Sequence, residues 1–452
     1  MIVVKFGGTS VGDAAAINRT AEIVKGKLRR SPIVVVSALG GTTNALLAVA
    51  EQSSKGHLIG SLRGVETLRD RHIHECEALL GDSPDCAEVS GELSAMFDEL
   101  AHLAEALSTL GHATPRAFDT IAAYGELLSA HLVSAYFKKF GINAEYVDPR
   151  TFMMTDNRFM EAEPQPELIA EKSREILLPL LKSKKVPVTG GFVGATTDGI
   201  TTTLGRGGSD YSASLIGAAL KADAIEIWTD VDGMLTADPR VVEGAQLIEK
   251  IRFDEASELA SFGAKVLHPN TIAPAVRLGI PVFIYNSRRP EGTGTRITFD
   301  APHRPVSAIA GKKDVTVIKV TAARMLLAHG FLARVFEIFA RHQTSVDVVA
   351  TSEVSVSVTI DDASRVASLI VDLRDLGDVS IERNRGILSI VGAGICDAGG
   401  AMGRALMALG EVRIYMMSLS ATGINLTVIV DGDAVDAAMQ RLHREFFGSA
   451  AN

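Results

Sequence analysis

Short, uninterrupted apolar runs alternate with longer stretches of helical spacing over the first 300 residues. The run IVVKF (2–6) precedes helix-like periodicity from Ala14 to Leu28. The run PIVVVSAL (32–39) precedes a polar, helix-patterned stretch from Thr43 to Leu110. AFDTIAAYGELLSAHLVSAYFKKFG (117–141) again has apolar residues at helical spacing and stops at Gly141, a residue suited to the left-handed position past a helix end. NAEYVD, VPVTGGFVG, AIEIWTDVDG and IPVFIYN read as further strands. Continuous apolar strands between helices predict an α/β fold with a mostly parallel central sheet covered on both faces.

Pro290, Gly292, Gly294, Pro302 and Pro305 mark a change of character, and a domain boundary is expected there, closing a first domain over 1–300. Residues 314–384 then read strand, loop, helix, strand, strand, helix, strand, and residues 386–447 repeat that order. This pattern predicts an internal duplication of a βαββαβ-like α+β unit of about 60–70 residues.

Composition narrows the function. A chain of 452 residues is expected to hold two or three domains. With 47% hydrophobic and 22% charged residues it resembles an ordinary globular protein. A formal charge of −9, one Trp and six Tyr argue against a nucleic-acid partner, which would need a basic stripe and stacking rings. Cys76, Cys86 and Cys396 are too few and too scattered for a disulfide framework or a zinc site, and fit reduced thiols in a cytoplasmic protein. Lys5 interrupts the first apolar run, so no signal sequence is expected, and no stretch reaches the ~18 apolar residues of a membrane helix. His72 and His74 fall on different faces of a predicted helix and read as exposed groups, not ligands; no metal-ligating cluster is expected.

Three glycine-rich connections each follow a predicted strand: KFGGTSVG (5–12), SALGGTTN (37–44) and TTLGRGGSDYSASLIGAAL (202–220). All three should emerge at strand C-termini, on the edge where open α/β sheets bind ligands. Amides in such loops and at helix N-termini cradle phosphates, and a lysine adds a point charge. The P-loop string, G-x-G-x-x-G and the protein-kinase elements are all absent. A phosphoryl-transfer enzyme of another architecture remains. Arg206, set among glycines, suits a carboxylate. Asp210 reads either as a helix N-cap or as an acid that orients Mg²⁺ or a lysine. WTDVDGMLTADPR (228–240) is either an acidic surface loop or part of a site. Glu126 sits in an apolar helix and needs a partner, a structural cation or a substrate ammonium.

The segments KFGGTSV, YGELLSA, TLGRGGSDYSA, WTDVDG, DPR and FGAKVLHP resemble the signatures of aspartate kinases, in the amino acid kinase superfamily. GFLARVFEIFARHQTSVDVVATSEVSVSV resembles the first of that family's paired regulatory ACT domains, most closely in the lysine-sensitive monofunctional type. The likeness runs from about residue 2 to 447. It implies an amino acid kinase catalytic domain over 1–300 and two interleaved, ferredoxin-like ACT domains, 315–385 and 305–314 plus 386–447. It further implies phosphorylation of the L-aspartate β-carboxylate by ATP with Mg²⁺, the first step of lysine, threonine and methionine biosynthesis.

The resemblance also implies residue roles. Lys5 would stabilise the transferring γ-phosphoryl and Asp210 would organise its neighbourhood. Gly7, Gly8 and Thr9 would shape the phosphate loop. Ser37, Thr43, Glu126, Arg206 and Ser209 would hold aspartate, with Arg206 on the α-carboxylate and Glu126 near the ammonium. Thr229, Asp230, Arg240 and Lys265 would line the nucleotide site, with Leu235 where relatives often carry an aromatic. Effector lysine, or alternatively threonine, would meet Met325, Phe331, Leu332, Ser345, Val346, Asp347, Ser352 and Glu353, with Ala328 where relatives carry a small hydroxyl residue. ACT pairing between subunits implies a homodimer or tetramer. The rival readings are a kinase for glutamate or acetylglutamate, and a catalytically silent amino-acid sensor.

Overall fold

In the computed structural model, which describes residues 1–262, 269–325, 329–397 and 400–448, β1 (Ile2–Phe6) is buried along its whole length. The chain continues through α1 (Ala14–Gly26), β2 (Pro32–Val36), α2 (Thr42–Ser54), α3 (Leu58–Leu80), α4 (Pro84–Leu110), α5 (Pro115–Lys139) and β3 (Ala144–Tyr146). Then come α6 (Pro166–Lys182), β4 (Val186–Gly190), the short hairpin β5 (Val193–Ala195) and β6 (Thr201–Thr203), α7 (Gly208–Leu220) and β7 (Ala224–Thr229). Next in sequence are β8 (Lys250–Ile251), α8 (Phe253–Ser261), α9 (Ala273–Arg277), β9 (Val282–Asn286) and β10 (Thr295–Ile297).

Two compact units result: Met1–Met234 with Val266–Phe299, and Leu235–Lys265 with Asp300–Asn452. The sequence pattern runs the first domain unbroken to residue 300, whereas compactness assigns 235–265 to the second unit. Within the first unit the strand order is β3-β4-β2-β1-β7-β9-β10. Every neighbouring pair is parallel except β9 and β10. β1 lies centrally, with Lys5 opposite Val35 on β2 and Ile227 on β7. Apolar residues dominate the neighbouring strands, with buried Glu226 on β7 paired to Lys27 and Arg30, so the faces of the sheet are largely covered and its loops collect at the strand ends.

The stretch expected to be helical from Thr43 to Leu110 is three helices, α2, α3 and α4, broken at Gly56–His57 and again at Gly81–Ser83. Ser83 caps α4 through the Cys86 amide, and Pro84 takes its first position. α5 ends at Lys139, followed by Gly141 at φ 84°. The expectation for His72 was wrong. It is fully buried on the apolar face of α3 with Val65, Leu68 and Cys76, and its Nδ1 meets the Leu68 carbonyl at 2.7 Å. Phe97 lies edge-on to it, and burial pushes the imidazole down to about 4, so it stays neutral. Cys76 and Cys86 are buried free thiols and Cys396 is an exposed one.

The second unit adds β11 (Ala308–Thr321), α10 (Phe331–Arg341), β12 (Val349–Thr351), β13 (Ser355–Ile360), α11 (Val366–Arg374) and β14 (Asp378–Val391). α12 (Ala401–Leu409), β15 (Met416–Leu419), β16 (Asn425–Asp431) and α13 (Val435–Phe447) follow. Six strands form one antiparallel sheet, β12-β13-β11-β14-β16-β15. β11 and β14 pair along most of their length, with the register shifting between Lys312 and Val317. One half packs α10 and α11 around Ile318, Phe331 and Leu369, and the other packs α12 and α13 around Leu388, Ala405 and Leu442.

Residues 235–262 are fixed to this unit by polar contacts. Buried Glu255 accepts from Ser307 Oγ at 2.8 Å, the Ala393 amide at 2.9 Å and the Arg252 amide at 3.1 Å. Thr236 Oγ1 meets His443 Nε2 at 2.9 Å. Removing the Glu255 carboxylate strands three donors. Glu255→Ala should therefore destabilise the second unit by about 2–4 kcal/mol, read as a lower midpoint in urea unfolding of the full chain.

Candidate active site

The sheet and helix ends that carry the expected catalytic residues converge on one cavity of about 1210 Å³. Lys5 leaves the C-terminal end of β1, and its Nζ meets Asp210 Oδ1 on α7 at 2.6 Å. Both side chains are largely buried, at 10% and 14% exposed. Asp210 is therefore not an N-cap. That position belongs to Gly207 at φ 72°, in the left-handed region that glycine adopts without strain, and no side chain caps the helix. α2 likewise begins at Gly41 with no side-chain cap. Each of these N-termini presents amide donors to the cavity its residues line.

The first glycine loop contributes differently. α1 is closed by its own Asp13, which accepts from the Ala16 amide, and by Glu75, which accepts from the Ala14 amide at 2.6 Å. What KFGGTSVG supplies is Lys5 and a close packing of loops, since a Cβ on Gly8 would lie 3.0 Å from the Ala38 carbonyl oxygen. Gly7 donates to the Trp228 carbonyl at 2.9 Å, and Ser10 Oγ meets Ser287 Oγ at 2.7 Å.

Glu126, on α5, is buried, and its Oε2 has no hydrogen-bond partner. Burial pushes its carboxyl up to about 8, against the opposing pull of a backbone hydrogen bond at Ala38 and the charge of Lys5. No structural cation meets it among the described residues. Ser37, Thr43, Arg206 and Ser209 line the same cavity, with Arg206 exposed and Ser209 buried. The arrangement offers an unpaired acid, an arginine, a lysine and two open helix N-termini: room for an amino acid beside a polyphosphate.

The remaining expected residues lie elsewhere. Gly7 is buried, Thr9 is exposed, and neither lines the cavity. Thr229 Oγ1 meets exposed Asp230 Oδ1 at 3.3 Å at the end of β7. Leu235 and Arg240 belong to the second unit, where Leu235 bridges Leu247 and Arg240 forks onto Asp238 at 2.6 Å. Lys265 and Ala328 lie outside the described residues. Of the expected effector residues, Phe331 is buried and Met325 and Val346 pack partly against its cluster. Leu332, Ser345, Ser352 and Glu353 are exposed. Burial and neighbouring Asp361 push the Asp347 carboxyl up to about 6, with Lys312 Nζ 4.0 Å away.

The sequence reading missed Asp119, Arg158, Phe159, Met160 and Phe192, all of which line the cavity. Asp119 had a signal: it lies on the same apolar helix as Glu126, two turns earlier, and is equally buried.

The amino acid kinase family description matches residues 1–286, and an ACT domain description matches residues 388–446. The chain belongs to the amino acid kinase family and, within it, to the aspartokinases. It is 37% identical to lysine-sensitive aspartokinase 3 of Escherichia coli (strain K12), over 99% of both chains. Its fold is similar to E. coli aspartokinase III in complex with aspartate and ADP (R-state), with a TM-score of 0.86 at 37% identity over 99% of this chain and 100% of the other. It is also similar to the same enzyme in complex with lysine and aspartate (T-state), with a TM-score of 0.83 at 36% identity over 99% of each chain. No helix among the described residues is long and apolar enough to cross a membrane.

With Lys5 removed, the cavity loses its buried cation. Lys5→Met should lower kcat by about 10³-fold while circular dichroism stays native; near-normal turnover would remove Lys5 from the chemistry.

Proposed function

We propose that this cavity phosphorylates the β-carboxylate of L-aspartate with ATP, giving 4-phospho-L-aspartate and ADP. The observation that carries this is a buried carboxyl without a cation, Glu126, in the same cavity as Arg206 and the Lys5–Asp210 pair. Glu126 takes the substrate ammonium, and Arg206 takes the α-carboxylate as a two-pronged fork. Ser37, Thr43 and Ser209 complete the hydrogen bonds. A β-carboxylate oxygen attacks the γ-phosphorus in line and the bond to the ADP oxygen breaks. A carboxylate is already a competent nucleophile near neutral pH, so no general base is required. The protein supplies position and charge: Lys5 and the open N-termini of α2 and α7 face the oxygens on which negative charge accumulates.

Among the described residues no cluster of three or more acids, histidines or cysteines could hold a metal. Mg²⁺ would arrive with ATP, since that ion takes its ligands mostly from phosphates and water with one or two carboxylates, here Asp210. Bound there, it would offset phosphate charge. Thr229, Asp230, Leu235, Arg240 and Lys265 make up the proposed nucleotide contacts.

The second unit is the regulator, with L-lysine the effector and L-threonine the alternative. Support comes from the E. coli relative, whose structure is described in complex with lysine and aspartate. The two interleaved ACT domains are 315–385 and 305–314 plus 386–447. The change of register between Lys312 and Val317 supports that division. The assembly is a homodimer or tetramer through these domains, in the cytoplasm, at the first step of lysine, threonine and methionine biosynthesis.

Two outcomes follow. At pH 7 the empty site holds Glu126 mostly protonated, because its folded value lies near 8. An ammonium beside it favours the carboxylate, so aspartate binding releases a proton, and affinity rises with pH between about 6 and 8. Glu126→Gln should raise the aspartate KM at least about tenfold and abolish the proton release; calorimetry in two buffers of different ionisation enthalpy reads it directly. In the second unit, Asp347→Ala should raise the lysine concentration for half-inhibition by about tenfold or more at unchanged basal turnover. Turnover indifferent to lysine and suppressed by threonine would reassign the effector.

A further inference from the structure

Asp119 is 1% exposed and faces the same cavity as Glu126 from the same helix. Unlike Glu126 it is fully engaged. Met160 donates its amide to both carboxylate oxygens at 3.0 Å. Thr203 donates its amide to Oδ2 at 3.1 Å and its hydroxyl to Oδ1 at 2.5 Å. Among the described residues its partners are amide and hydroxyl donors; they offset part of the cost of burial, which still holds its carboxyl above the usual carboxylate range.

Those donors belong to two segments that build the cavity wall. Thr203 ends β6, three residues before Arg206. Met160 sits at φ 73°, a left-handed backbone that a non-glycine residue holds only when its surroundings enforce it. Its neighbours Arg158 and Phe159 also line the cavity. The two segments are joined further by the Ala162 amide to the Thr203 carbonyl at 2.9 Å. At Gly205 a Cβ would come within 3.2 Å of the Met160 carbonyl oxygen, so the arginine loop rests on the strained residue.

We propose that Asp119 is a positioning residue for the amino-acid substrate: one carboxylate clamps β6 and the Met160 loop to α5 and thereby sets Arg206 against Glu126. This rests on the reading that Glu126 and Arg206 hold the substrate's ammonium and α-carboxylate. A fixed span between those two groups selects an α-amino acid of one backbone geometry and points its side chain toward the phosphate end. Loosening the clamp penalises amino-acid binding and leaves nucleotide binding alone, because no atom of the clamp belongs to the proposed nucleotide contacts.

The test is steady-state kinetics on the full chain, varying aspartate and ATP separately, with thermal unfolding run on each variant. Asp119→Asn puts an amide N–H₂ where an acceptor is needed. It is expected to raise the aspartate KM at least tenfold and leave the ATP KM within twofold. Thr203→Val, which removes one donor and retains shape, should move the aspartate KM in the same direction by a smaller factor. Thr203→Ser, which keeps the hydroxyl, should restore it. The Asp119→Asn/Thr203→Val double variant should be no worse than Asp119→Asn alone, since both break one contact. A folded Asp119→Asn enzyme with an aspartate KM within twofold of the parent overturns the proposal, as do equal rises in both KM values. If Asp119→Asn does not fold, the Thr203→Val and Thr203→Ser pair decides on the same criterion. Glu126→Gln and Arg206→Ala run alongside. If neither raises the aspartate KM, the underlying reading fails and the proposal with it; if they raise it and the Asp119 and Thr203 variants do not, the proposal alone fails.

Discussion

A lysine on the central strand of a parallel sheet is costly to bury without a counter-charge, and the first unit is arranged around that constraint. Lys5 takes Asp210 as its partner at 2.6 Å. Because Asp210 is committed there, it cannot cap its own helix, and the cap position falls to Gly207 with no side-chain hydrogen bond. The Gly208 and Asp210 amides turn back onto the Gly205 and Gly207 carbonyls, and the Ser209 amide between them is left for a ligand. A buried ion pair is weak evidence for stability, because desolvation offsets most of the attraction. Here its consequence is positional: a cation held at the mouth of β1 beside a helix N-terminus that no side chain caps.

Three buried or nearly buried acids face one cavity, and their surroundings separate them. Asp210 has a lysine, Asp119 has four hydrogen bonds from amide and hydroxyl donors, and Glu126 has an oxygen with no partner at all. The first is a charge organiser, the second a clamp, the third an unmet demand for a cation. The same functional group thus serves three ends because solvation and partners differ, as where two carboxyls of one site are driven to opposite protonation states. Burial pushes the Glu126 carboxyl up to about 8, so the proposed ammonium contact would tie amino-acid binding to a proton without any histidine.

The central sheet was legible because β1, β2 and β7 are near-continuous apolar runs. The cavity was legible because its glycine loops follow those runs. Other features depended on partners far away in sequence. KFGGTSVG looked like an anion cradle ending in a helix N-terminus, yet Asp13 and Glu75 close that helix, and Glu75 lies 61 residues away. His72 was misjudged against its neighbour His74, although its spacing from Val65, Leu68 and Cys76 already put it on the apolar face. Asp119 satisfied the argument made for Glu126, a carboxyl on an apolar helix, but its partners lie far along the chain, Met160 in a turn and Thr203 at the end of the three-residue strand β6. The break at residue 235 was invisible because the Glu255 contacts that bind this segment to residues 307 and 393 carry no local pattern.

In the second unit, two halves share two strands. β11 and β14 each run 14 residues through both, so the halves cannot rearrange as independent domains joined by a linker. The sheet's irregularity lies where Lys312 gives way to Val315 and Val317. Lys312 bonds Asp361 and stands 4.0 Å from Asp347, both of them in the neighbouring half. A bulge concentrates twist and is a place where a continuous sheet yields. Burial, and then the neighbouring Asp361 carboxyl, push Asp347 up to about 6, so a cationic amine at Asp347 would relieve repulsion and compete with Lys312 in one event. Charge arriving at that acid would therefore be felt through Lys312 on the strand common to both halves.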